Sequence, residues 1–182
     1  MAAGIRADTL AAWLGTPEAP FGRLVRCMPN TPALVGEGMT GLAALDGVDQ
    51  ADRDLAARLL SSVGQVVWVD DDAALDAVTA LSGSGPAYVF LFLEALVAGG
   101  VKVGLTADQA RQLALGTLAG ATRLAAESPE PLSVLRERVT SKGGTTAAAL
   151  DAFGAAGFTR IVEDAMAAAA SRSRALAEEF GK

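Results

Sequence analysis

Ser141-Lys-Gly-Gly-Thr-Thr146 brings three hydroxyls, one amine and two adjacent glycines into six residues, between two stretches of helical pattern. At the start of the second helix, successive amides lack intrahelical partners and the helix dipole is positive. Such a turn is a ready seat for a carboxylate or a phosphate. Gly143 and Gly144 let the backbone approach a ligand without a Cβ in the way. Ser141, Thr145 and Thr146 add groups that donate or accept hydrogen bonds. An ordinary helix–helix turn with a threonine N-cap fits the same residues equally well.

The other candidates are weaker. Asn30, in Pro29-Asn-Thr-Pro32, is either a site residue or a plain turn residue. Asp72 and Asp76 are carboxylates one helical turn apart. They suit a divalent cation or, more simply, a solvated helix start with Asp72 capping the first amides. No metal site is expected. Glu94 interrupts an apolar helix and reads as one half of a pair across an interface rather than as a catalytic acid. Cys27 sits in a hydrophobic run as a small packed residue. With no histidine, Ser-His triads and most zinc sets are excluded, so any chemistry rests on hydroxyls, carboxylates, lysine, amides or a cofactor.

The elements that must hold these residues fall into two textures. From residue 1 to about 70 the pattern alternates. Asp8 to Leu14 predicts a short helix, Arg23 to Met28 and Met39 to Ala44 predict strands, Asp49 to Val63 a one-faced helix, and Gln65 to Val69 a strand. From about residue 71 to 182 the pattern is helical, interrupted at Ser82-Gly-Ser-Gly-Pro86 and restarted by Thr106-Ala-Asp-Gln109, a capping box. Further helices are expected over Leu132 to Val139, Ala147 to Phe153 and Arg160 to Phe180. The fold class is therefore mainly α, an all-helical part preceded by a smaller α/β part.

The 182 residues are 51% hydrophobic, 20% charged and only 5% aromatic, with 20 glycines, which favours closely packed helices. A net charge of −6 argues against nucleic acid as a partner. One cysteine forms no internal disulfide and fits a cytoplasmic setting. The segment from Pro86 to Leu105 is apolar, yet Glu94 and Lys102 are costly in lipid, so a core or intersubunit helix is expected rather than a membrane span.

Four ordered motifs carry a family resemblance. They are Arg26-Cys-Met-Pro-Asn-Thr-Pro32, Asp76-Ala-Val-Thr-Ala-Leu-Ser-Gly-Ser-Gly-Pro-Ala-Tyr88, Gly99-Gly-Val-Lys-Val-Gly-Leu105 and Leu135-Arg-Glu-Arg-Val-Thr-Ser-Lys-Gly-Gly-Thr-Thr-Ala-Ala-Ala-Leu150. Together they resemble the pyrroline-5-carboxylate reductases, NADPH- or NADH-dependent oxidoreductases of proline biosynthesis. The resemblance implies a partial Rossmann-type dinucleotide-binding domain over residues 1–70. It also implies a helical dimerisation and substrate-binding domain over 71–182, with dimers that build a decamer. It places the substrate carboxylate on the backbone amides of the loop around Gly143 and Gly144, and Thr146 on the ring nitrogen as the catalytic group, with Ser141 and Thr145 in the same substrate pocket. Asp72 then lies near the substrate, and Ala2, Ala3 and Asn30 beside the cofactor.

Two departures stand out. Lys142 replaces the family's usual proline. No Gly-x-Gly-x-x-Gly motif is expected in this chain, since Gly4 stands alone and Ser82-Gly-Ser-Gly-Pro86 follows no strand. The first half of the dinucleotide-binding domain is thus expected to be missing, and a catalytically inactive oligomerisation fragment stands as the alternative to a working reductase. A β-hydroxyacid dehydrogenase would want a catalytic lysine after the cofactor domain, and Lys102 stands too late in its helix for that.

Overall fold

The computed structural model of the chain describes residues 4–16 and 18–180. By packing, the described residues form two compact units. One contains those up to Ala87 together with those from Glu163 onward, and the other is Tyr88–Val162.

The first unit is built on a three-stranded sheet in the order β1-β2-β3. Strand β1 (Val25–Met28) runs antiparallel to β2 (Gly38–Ala44), with Val25 opposite Ala44 and Met28 opposite Gly41. Strand β3 (Gly64–Trp68) runs parallel to β2, with Gly38 opposite Gly64 and Leu42 opposite Trp68. A parallel pair needs a crossover, and α2 (Gln50–Leu60) provides it. Asp49 caps α2 by accepting the Asp52 N–H at 2.9 Å, and Arg53 lies over the Trp68 ring at 4.9 Å, holding helix to sheet. Thr40, Leu42 and Ala43 on β2 are buried, as a central strand requires. Gly41 leaves room for α3 (Leu75–Val78), because a Cβ there would stand 2.6 Å from a Val78 methyl. At the end of the sheet the Gly64 backbone lies so close to Gly38 that a Cβ would come within 2.0 Å of its carbonyl oxygen.

Helix α1 (Ala7–Leu14) buries Ala7 and Ala11. The last helix, α8 (Phe158–Phe180), contributes its far end to the same unit: Leu176 and Phe180 close over Gly4, where a Cβ would meet Phe180 at 2.8 Å.

Asp71, rather than Asp72, caps the helical stretch that follows β3, accepting the Ala74 N–H at 2.8 Å. Asp72 is drawn into ion pairs instead. This corrects the expectation of a solvated Asp72 cap. The expected interruption at residues 82–86 takes a mild form. The helix widens into a π-turn over Thr79–Gly83, closed by Ser84 N–H to Thr79 C=O at 2.8 Å, and resumes as α4 (Gly85–Lys102). Pro86 lies in the first turn of α4. It has no N–H to give to the carbonyl of Ser82 four residues back, and that carbonyl takes a side-chain donor from elsewhere.

In the second unit, α5 (Ala107–Glu127) starts at the expected capping box, with both Thr106 and Gln109 bonds present. It packs on α4 where Gly100 meets Ala110, since a Cβ on Gly100 would stand 2.9 Å from that of Ala110. Helices α6 (Leu132–Arg138) and α7 (Thr145–Ala155) follow. Phe92, Phe153 and Phe158 form a ring cluster with centroids 5.3–6.5 Å apart. Apart from this cluster the unit buries little. Its fully covered apolar residues are Ala110 and Ala114, while Phe90, Leu91, Val103 and Leu113 are all exposed. The helix running from Leu75 to Lys102 is long and apolar enough to cross a membrane by length and composition alone.

One exposed ion pair yields a prediction. Arg23 grips Asp52 through two bonds, at 2.9 and 2.8 Å. The hydrogen bond from Arg23 holds the Asp52 carboxyl below its ordinary range. A carboxyl lowered in the folded state adds stability above its unfolded pKa and loses it as pH falls through the folded value. Replacing Arg23 with Ala is expected to move the Asp52 titration back up toward the ordinary range, as read by carboxyl-carbon NMR. An unchanged Asp52 titration overturns the assignment.

Candidate functional site

The loop singled out from sequence is a tight turn. Gly144 N–H donates to the Ser141 carbonyl at 3.0 Å, and Gly143 adopts a φ of +72°, which favours glycine. Gly144, not a threonine, is the N-cap of α7, with an extended backbone and no side-chain cap. That removes the threonine-capped turn as a description of the loop. The helix's own bonds begin with Ala148 N–H to Gly144 C=O at 3.2 Å, so the amides of Thr145, Thr146 and Ala147 lie ahead of them. Gly144 packs against Ser141, where a Cβ would meet its Oγ at 2.4 Å. Ser141, Lys142, Gly143 and Thr145 are exposed, and Thr146 is half-buried. The turn therefore gathers Ser141, Gly143, Gly144, Thr145 and Thr146 around one set of amides. Lys142 occupies its second position, where a fixed φ would be accommodated.

In the first unit Asn30 follows β1 and is braced. Its amide donates to the Ser82 carbonyl and to Ser82 Oγ, both at 3.2 Å, and its oxygen accepts the Met39 N–H at 2.9 Å. Ser82 Oγ in turn donates to the Met39 carbonyl at 3.3 Å. These bonds tie the end of β1, the start of β2 and the π-turn together around an open cleft of about 360 Å³ lined by Met28, Pro29, Asn30, Thr31, Ala33, Leu34 and Gly83. Sequence reasoning did not anticipate Ser82. The proline four residues after it was the available signal.

Asp72 belongs to a ladder of alternating charges. Arg26, buried on β1, donates to Asp72 Oδ1 at 2.9 Å, and Arg6 reaches Asp72 Oδ2 at 3.4 Å and Asp76 Oδ2 at 2.9 Å. Ser173 of α8 donates to Asp76 Oδ1 at 2.6 Å. Asp76 and Ser173 are only 4% and 3% exposed. Burial works against the Arg6 charge, but the hydrogen bond and charge of Asp76, followed by Asp72, hold its guanidinium above the ordinary value. Asp72 and Asp76 are thus taken up by arginines rather than solvated at a helix start. No cluster of three or more metal-ligating side chains occurs among the described residues. Arg6, Arg26 and Ser173 were not foreseen as partners. Ala2 and Ala3 lie outside the described residues.

A glycine spacing suited to a dinucleotide does occur, contrary to expectation: Gly36-Glu-Gly-Met-Thr-Gly41 satisfies Gly-x-Gly-x-x-Gly. Its context is wrong for a phosphate. Gly38 to Gly41 run into strand β2, no helix N-terminus follows, and Gly41 faces Val78. The described residues therefore hold no built seat for a pyrophosphate of that type.

Comparison with known proteins then gives the family. The model of the pyrroline-5-carboxylate reductase dimerisation domain matches residues 72–176, more than half of the chain. The chain belongs to the pyrroline-5-carboxylate reductase family. The reductase of Pseudomonas aeruginosa is 49% identical over all 182 residues, and that of Haemophilus influenzae 46% over 181. In both cases the chain spans 65% of the relative's length, just under two thirds. Among solved structures, the Coxiella burnetii enzyme superposes with a TM-score of 0.89 at 39% identity, covering 95% of this chain and 63% of that one. The NADP-bound Plasmodium falciparum enzyme gives 0.84 at 33%, covering 96% and 68%. The mainly helical fold with a small α/β part agrees with these relatives.

Proposed function

We propose that this chain carries the dimerisation and substrate-binding part of an oxidoreductase that reduces 1-pyrroline-5-carboxylate to L-proline. In this reading residues 1–70 belong to a dinucleotide-binding domain and 71–182 to a helical domain that dimerises, with dimers building a decamer in the cytoplasm. The observation that supports it best is the turn at 141–146, whose free amides and left-handed Gly143 suit a carboxylate. The substrate carboxylate sits on the turn of Gly143 and Gly144, held by the amides of Thr145, Thr146 and Ala147 that lie ahead of the helix's own bonds, with Ser141 and Thr145 beside it. Thr146 Oγ hydrogen-bonds the ring nitrogen and fixes the orientation of the protonated imine. A reduced nicotinamide, NADPH or NADH, supplies the hydride. Because the iminium is already electrophilic, the protein has to orient and stabilise rather than deprotonate, and the lack of histidine is no obstacle. The same reading assigns Asn30, Ala2 and Ala3 to the cofactor and Asp72 to the substrate.

Titration with proline, followed by ligand-detected NMR without cofactor, tests the site. Wild type is expected to bind, and Thr146→Ala to bind about 2- to 10-fold more weakly, the worth of one hydroxyl bond at about 0.5–1.5 kcal/mol. Gly144→Val is expected to lose binding, because its Cβ displaces Ser141 from the turn. Equal affinity in all three proteins overturns the site. NADPH oxidation with pyrroline-5-carboxylate separates the two outcomes that remain: turnover marks a reductase, and proline binding without turnover marks an inactive oligomerisation fragment.

A further inference from the structure

Glu94 is the one charged residue between Gly85 and Val101 on α4, and it faces a groove of about 610 Å³ that it shares with Arg111 of α5. The rest of the lining is apolar, with Phe90, Leu93, Val97 and Leu115 prominent. Among the described residues neither Glu94 nor Arg111 has an ion pair or hydrogen bond within the chain. Phe90 is 60% exposed and Leu115 41%, so the groove is a surface awaiting cover. Whatever covers it has to bring one cation and one anion, because an unpaired charge shut away from water is costly.

A two-fold interface meets that demand with no outside partner. In such a contact, residue i of one copy meets residue j of the other, and j meets i. We propose that Glu94 pairs with Arg111 of a second copy of this chain, twice per dimer, and that these pairs set the register in which the two apolar grooves close on each other. The proposal rests on the dimerising reading above, within the segment that matches the family's dimerisation model. Phe90 and its neighbours supply the buried area; the charges decide which alignment of two smooth apolar faces is allowed.

The test uses charge reversal in the full chain, followed by analytical ultracentrifugation and native mass spectrometry. Glu94→Arg and Arg111→Glu are each expected to weaken self-association about a hundredfold or more, since each places like charges together twice. Mixing the two singly substituted chains is the decisive arm. Across their contact the arginine introduced at position 94 meets the glutamate introduced at position 111, and the native Glu94 and Arg111 meet each other. Heterodimer is therefore expected to form at a concentration where neither variant associates alone. An intrachain pair predicts the reverse, because each variant then carries two like charges that mixing does not relieve. A mixture that stays monomeric overturns the proposal, as does undiminished association of either single variant. If wild type itself is monomeric, the dimerising reading fails as well; a dimeric wild type with indifferent charge variants removes only the pairing.

Discussion

Asp76→Ala is expected to lower the stability of this protein by about 3 kcal/mol, the low end of the cost of removing one partner from a buried charge pair. The carboxylate is nearly inaccessible and both of its oxygens are used, one by Arg6 at 2.9 Å and one by Ser173 at 2.6 Å. Removing it strands a buried serine hydroxyl and leaves Arg6 with only the longer 3.4 Å contact to Asp72. Arg6 is 27% exposed on its side chain, so water recovers part of the loss and the upper end of the range is not reached. For a chain of this size the change corresponds to a fall of about 6–12 °C in melting temperature. Asp76→Asn keeps an acceptor for Ser173 and is expected to cost less. The comparison is Arg138→Ala, which breaks an exposed pair with Glu130 and is expected to cost under about 1 kcal/mol. Calorimetry that finds Asp76→Ala no more damaging than Arg138→Ala removes the ladder as a stabilising element.

That ladder also marks where sequence reading stops. Local periodicity reveals elements. The one-faced pattern after Asp49 became α2, the run from Gln65 became β3, and Thr106 with Gln109 formed a capping box, because each depends on residues within one or two turns. Asp76 and Ser173 are 97 residues apart, and Arg6 and Asp76 are 70 apart. Nothing in the spacing of either stretch announces such a contact. Arg26 on an otherwise apolar strand was a hint that a buried counter-charge was needed, but not of which carboxylate would supply it. Asp71, Asp72 and the preceding Asp70 are equally good caps on paper, and the choice between them was made by two arginines from elsewhere.

The site was legible to a different extent. The turn at 141–146 could be placed because two glycines before two threonines have few uses other than a tight turn into a helix, and Gly143 has the left-handed φ that such a turn needs. That Gly144 rather than a threonine would be the cap was not legible, since both fit an N-terminus. The glycine string 36–41 shows the converse problem. A spacing that means phosphate binding at a strand-to-helix turn means close packing when it enters a strand, and the letters are the same.

The second large effect concerns the unit from Tyr88 to Val162, which buries so little that it is expected not to stand as a folded monomer. A ring cluster and two buried alanines do not offset the entropy of ordering its helices, whereas Phe90, Leu91, Leu113 and Leu124 lie exposed and available for burial against a second copy. Folding and association are then one event, and stability rises with protein concentration. The melting temperature of wild type is expected to climb by about 2 °C for each tenfold increase, the value that mass action gives for a dimer of this size. Phe90→Asp puts a carboxylate into the groove that a second copy is proposed to cover. It is expected to abolish the dimer at micromolar concentration and to remove much of the helical circular-dichroism signal with it, since α4 and α5 lose the surface they fold against. Two results count against this account. One is a wild-type melt independent of concentration, and the other is a Phe90→Asp chain that sediments as a monomer with its helical signal intact. Either means that the unit holds itself together, and its exposed apolar face then needs an explanation other than a second copy.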